Sequence, residues 1–236
     1  MMSSLSTTSL LPLLLLSLLW ADISVDASFQ TLPLPILMSG PHSFAFNSTG
    51  KGFYTGVSGG TILKYTPEKG FVIFAHITKS SQMHLLLRLK DATGKLYKYD
   101  PSTKAVTVLM EGLGGSAGCT VSSDGSFVLV SQFTKNNIKR YWIKGPKTGS
   151  SEDFSNSPSR LHPSSIRRIG STGNFWIAAV QRVSNQTAVA KVNSNGEVTQ
   201  RIFVPLLYNF LSEVNEFDGS LYFGSLTERY VGILKL

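Results

Sequence analysis

The chain has 236 residues, 42% of them hydrophobic and 15% charged, and a formal net charge of +8. Such a length buries a full-sized core, and 21 glycines suit a fold built on tight turns. The positive charge would favour an anionic partner. Its Lys and Arg residues are scattered, however, with no tract beyond the pairs Lys139-Arg140 and Arg167-Arg168, which argues against a nucleic-acid partner.

In chain order, residues 1–27 read as a signal peptide. Residues 10–20 are an apolar run too short to span a bilayer, and Val25-Asp26-Ala27 offers a small-residue cleavage site before Ser28. The expectation is entry into the secretory pathway, no stable membrane span after cleavage, and residence in the vacuole or outside the cell. Asn47-Ser48-Thr49 and Asn185-Gln186-Thr187 are sequons near predicted turns, so Asn47 and Asn185 are the expected glycosylation sites. Cys119 is the only cysteine, and stability therefore rests on β packing without an intrachain disulfide.

Residues 28–236 read as one all-β domain. Residues 32–37, with Pro33 and Pro35, make an extended lead-in or an edge strand. Short apolar runs at 42–46, 53–57, 61–65 and 71–75, separated by turns, form one four-stranded unit. A pair of strands is expected at 95–99 and 105–110, then strands at 117–121, 127–131 and 138–143. The Ser/Pro/Gly-rich stretch 146–159 reads as a surface loop. Runs at 166–169, 174–180, 188–192 and 198–203 complete a further unit, and the chain ends on a hairpin around Asp218-Gly219.

Gly125, Gly173 and Gly219 each follow a turn residue and lie 48 and 46 residues apart, within the period of four-stranded propeller blades. One interval breaks the rule. The matching stretches that begin at Gly60 and Gly94 are only 34 residues apart, and residues 76–92 hold a single apolar run at 83–89. The count is about four units, one of them defective.

No Gly-rich phosphate loop, G-x-S-x-G elbow, H-E-x-x-H or cysteine pair is present. The four histidines show no ligand spacing, and the glycine-rich stretch 114–118 reads as a close backbone turn. Among Glu213, Glu216 and Asp218, the last is a turn residue. Glu213 is the candidate general acid or base, provided that burial raises its pKa; the competing reading is a solvated or hairpin-supporting role. Phe175, Trp176, Tyr222 and Phe223 read as core by alternation.

Residues 54–65, 94–104, 123–130, 140–146 and 216–225 together resemble plant strictosidine synthase-like proteins. The resemblance implies a six-bladed β-propeller, here incomplete or with fewer blades, lacking about 90 residues near Ser81, or roughly two blades. It also implies amine-aldehyde condensation of the Pictet–Spengler type, a lyase step of alkaloid biosynthesis, and, in the wider superfamily, calcium-dependent esterases and lactonases. Matched on Glu216-Phe217-Asp218-Gly219, the family's catalytic glutamate falls at Ser212, which has no basic group. Glu213 is one residue on, and strand alternation puts it on the opposite face. Other channel-lining positions fall at His42, Ala117, Ser164 and Ser165, where relatives often carry a carboxylate or amide. That set supplies too few hard oxygens for calcium, so no metal and no cofactor are expected. The readings left open are a condensing lyase, a non-catalytic propeller with a small-molecule ligand in its channel, and a calcium-dependent hydrolase.

Overall fold

A computed structural model of the chain describes residues 29–46, 52–76, 92–156, 161–181, 187–204 and 210–236. The expected signal peptide and both sequon asparagines, Asn47 and Asn185, lie outside the described residues. No helix among the described residues is long and apolar enough to cross a membrane.

Antiparallel sheets make up the whole of the described fold. β1 (Phe29–Pro33) is an edge strand, the place where its terminal Pro33 is tolerated, and pairs with the last strand, β18 (Tyr230–Lys235); the expected lead-in at 32–37 thus begins earlier and ends at Pro33. With β16 (Leu211–Phe217) and β17 (Ser220–Ser225) they form one four-stranded sheet, so the first and last described strands share a blade. The other four-stranded sheets are consecutive meanders. The first is β2 (Ser43–Phe46), β3 (Phe53–Val57), β4 (Thr61–Thr66) and β5 (Gly70–His76). The second is β8 (Ser116–Val121), β9 (Phe127–Gln132), β10 (Asn137–Trp142) and β11 (Ser151–Asn156). The third is β12 (Leu161–Arg168), β13 (Phe175–Gln181), β14 (Thr187–Val192) and β15 (Val198–Val204). Between the first and second lies a two-stranded sheet, β6 (Gly94–Tyr99) and β7 (Val106–Leu113).

The result is an incomplete propeller: four full sheets and one half sheet. Local chemistry accounts for the hairpins. Asp218 and Gly219 both take positive φ, 47° and 68°, as the two-residue turn between β16 and β17 demands. The stretch expected to be a loop at 146–159 contains β11. Its residues Ser151-Glu152-Asp153 are polar because this is an outer edge strand, paired through Arg140↔Glu152 and Lys139↔Asp153. Polar edge strands carry no apolar alternation, which is why the sequence reading missed it.

Sheets stack face to face. Trp176, Ala178 and Ile202 of the β12–β15 sheet pack on Leu211, Val214 and Phe223 of the terminal sheet. On its other face Phe175, Ile177 and Ala179 meet Phe127, Leu129 and Phe154 of the β8–β11 sheet. The run Phe175-Trp176-Ile177-Ala178-Ala179 is therefore apolar at every position because both faces of β13 are covered. Phe44 and Phe53 pack on Val231 and Tyr222, joining the first sheet to the terminal one, and Leu96 and Leu113 pack on Val128 and Val130. Among the described residues, no such cluster joins β2–β5 to β6–β7.

Candidate functional site

The innermost strands of three successive sheets break register at the same height. β8 skips between Ser116 and Gly118, β12 between Pro163 and Ser165, and β16 between Leu211 and Glu213. The extra residues are Ala117, Ser164 and Ser212. A bulged residue leaves the ladder and re-aims its strand, and all three line one cavity of about 440 Å³. His42 and Ser43 at the head of β2 and Thr93 and Gly94 at the head of β6 complete its rim, while Phe133, Val180, Phe210 and Leu226 supply apolar wall.

The inner strands converge because small residues let them. A Cβ at Gly118 would lie 3.1 Å from Ser165 Cα, and one at Gly224 would lie 2.5 Å from Pro41 O and 2.9 Å from Glu213 Cβ. Ser164 then ties two blades together: its Oγ lies 2.6 Å from Leu211 O and 3.1 Å from Ala178 O, within donating distance of both.

At the floor of the cavity, Glu213 is buried, with 3% of its side chain exposed. Arg167 of β12 reaches across from the neighbouring sheet, its Nε donating to Oε1 and its Nη2 to Oε2 at 3.1 Å. This fork geometry is the strongest protein arrangement for holding a carboxylate. Burial pushes the Glu213 carboxyl above its ordinary value, and the hydrogen bonds and charge of Arg167 take back part of that rise. Arg167 itself lines the cavity with 35% of its side chain exposed, and among the described residues Nη1 donates to no acceptor. Ser212 Oγ is buried at the cavity and has no hydrogen-bond partner among the described residues. The His42 ring, open on one side but packed against Gly56, has its pKa pushed down by burial.

Of the residues singled out from the sequence, His42, Ala117, Ser164, Ser212 and Glu213 meet around this cavity. Ser165 sits one place further along β12, buried among neighbouring strands near the Glu213 carboxyl and not on the cavity wall. The expectation that Ser212 and Glu213 face opposite ways is corrected by the bulge. With Ser212 out of the ladder, strict alternation fails and both residues reach the cavity. Sequence reasoning missed Arg167. A basic residue within the apolar run of a predicted inner strand, between Ile166 and Ile169, was the available signal that a buried carboxylate lay opposite.

Glu213 is the only carboxylate among the described residues that line the cavity, and it is already held by a cation. Among the described residues no three His, Cys, Asp or Glu side chains converge. This donor set does not fit a hard divalent cation, which takes six to eight oxygens.

Comparisons with known proteins agree with the incomplete propeller fold. A family model described as strictosidine synthase matches residues 61–146. Protein STRICTOSIDINE SYNTHASE-LIKE 12 of Arabidopsis thaliana is 50% identical over 321 residues, covering 95% of this chain and 95% of that protein. STRICTOSIDINE SYNTHASE-LIKE 11 of the same plant is 44% identical, covering 98% and 99%, and strictosidine synthase of Catharanthus roseus is 28% identical, covering 82% and 83%. An alignment of 321 positions against a chain of 236 residues leaves at least 85 positions without a counterpart here. Among solved structures, a luciferin-regenerating enzyme superposes with a TM-score of 0.64 at 13% identity, covering 88% of this chain and 95% of that one. A calcium-binding protein, regucalcin from Agrobacterium tumefaciens, does so with a TM-score of 0.50 at 12% identity, covering 86% and 90%. At such identities the likeness concerns the fold alone.

Proposed function

Because the chain belongs to the strictosidine synthase-like family and yet has its one cavity carboxylate clamped by an arginine, we propose that it binds a small organic molecule without condensing amines with aldehydes. The observation that carries this reading is the two-pronged Arg167–Glu213 pair. A general base must be within reach of the proton it removes and free to take it. Glu213 has both oxygens engaged, and Ser212, at the position of the family's glutamate, offers a hydroxyl that no base hydrogen-bonds among the described residues. What remains is a concave, mostly apolar space of ligand size with a few polar groups at its floor.

Purified chain incubated with tryptamine and secologanin is expected to form no product beyond the protein-free rate, while a screen of small molecules raises its unfolding midpoint. Enzyme-dependent product would overturn the first half of the reading, and a screen without a single saturable binder would overturn the second. Secretory entry belongs to the same proposal. A mobility shift on deglycosylation, lost in the double variant Asn47→Gln, Asn185→Gln, is the expected result; the absence of any shift removes that part.

A further inference from the structure

The cavity has features that the binding reading alone does not explain, and they bear on what charge its occupant carries. Among the described residues its ionised groups cancel: the Glu213 carboxylate and the Arg167 guanidinium are paired along two hydrogen bonds. Another cation entering would find no free carboxylate, and an anion would find a guanidinium whose charge is already matched. Either would lose its hydration shell for little return. Polar capacity is left over all the same. Arg167 Nη1 donates to no described acceptor, and Ser212 Oγ, thrust out of the ladder by its bulge, is buried without a partner. A buried hydroxyl in that state costs stability unless something meets it. The surrounding wall of Ala117, Phe133, Val180, Phe210, Leu211 and Leu226 is apolar.

We infer, building on the binding reading above, that the cavity takes an uncharged, largely apolar molecule with one hydroxyl or carbonyl oxygen, which accepts from Arg167 Nη1 and pairs with Ser212 Oγ. A space of about 440 Å³ holds such a molecule of about 15–20 non-hydrogen atoms. The charge selectivity follows from the ion pair, and the polar anchor from the bulge.

Three fluorescent probes of one shape test it on the full purified chain: 9-anthracenemethanol, anthracene-9-carboxylate and 9-anthracenemethylammonium. The alcohol is expected to bind about tenfold more tightly than either ion. Ser212→Ala should weaken the alcohol about fivefold, the effect of one net hydrogen bond, and leave the ions unaffected. Ala117→Phe, placed on the bulge of β8 to fill the space, should abolish binding while the unfolding midpoint stays near that of the parent chain. Preference for the carboxylate or the ammonium probe overturns the inference and leaves the binding reading standing. Equal affinity for the alcohol in the parent and Ser212→Ala chains overturns the anchor. Failure of all three probes, in a chain that unfolds cooperatively, overturns the inference, whereas the binding reading falls only if the wider screen also finds no saturable binder.

Discussion

The β12–β15 sheet and the β6–β7 hairpin both carry apolar strands, yet they bury them very differently. Trp176 on β13 is 1% exposed, with a covered face on each side of its sheet. On the hairpin, Leu96 and Leu113 are covered by the β8–β11 sheet, whereas Tyr97, opposite Val108, and Tyr99, opposite Val106, present the other face to solvent, Val106 at 63% exposure. The first sheet shows the same asymmetry. Phe44 and Phe53 are covered by the terminal sheet, while Phe74 remains 60% exposed with Tyr54 against its ring, centroids 4.8 Å apart. A blade's alternation records two neighbours, and burial follows only where both are present. The exposed faces lie on the two sheets that flank the short 34-residue interval between Gly60 and Gly94.

That contrast is open to direct test. Trp176→Ala is expected to cost about 3–5 kcal/mol, as a cavity between two packed sheets, against less than about 1 kcal/mol for Tyr97→Ala. Urea unfolding of both variants decides it, and equal losses would mean that the hairpin is as well packed as β13. Arg167→Ala comes next, because it strands the Glu213 carboxylate at the cavity floor; a loss of about 3–5 kcal/mol is expected, with most of it recovered in the double variant Arg167→Met, Glu213→Leu. No recovery would show that the pair adds more than mutual neutralisation.

A smaller effect concerns acid. Hydrogen bonds from Ser122 Oγ and from the backbone and hydroxyl of Ser126 hold the Asp124 pKa down from 3.8 to about 2. The folded pKa is depressed, so the stabilisation is present above pH 3.8 and fades as the pH falls towards 2. Asp124→Asn should flatten that limb of the pH–stability curve, and an unchanged limb would assign the acid loss to other carboxylates. Smallest of all, Val106→Lys on the open face of the hairpin should move the unfolding free energy by less than about 0.5 kcal/mol. A larger loss would reveal a partner surface over that face.

Much of the fold was legible in the chain because it is locally encoded. Asp218-Gly219 has to turn, Phe175 to Val180 has to be a strand, and the 48- and 46-residue intervals between turn glycines mark whole blades. The 34-residue interval likewise announced the half sheet. The site was legible only as a set of positions. Glu213 was found through its own chemistry, as an acid on a predicted inner strand, whereas His42, Ala117, Ser164 and Ser212 were found only through the resemblance.

What the sequence determined by itself is therefore the run of strands and turns, since each depends on residues a few places apart. Tertiary structure alone decided three other things. It paired β1 with β18 across nearly the whole chain, it made a strand of polar β11 by giving it an edge to join, and it set Ser212 and Glu213 side by side. The last came from a bulge that breaks the two-residue alternation, and the Arg167–Glu213 pair came with it, 46 residues apart in the chain. The bulge needs β17 paired beside β16, and the ion pair needs the neighbouring sheet packed on it, because an isolated strand has no register to break and no opposing charge to meet.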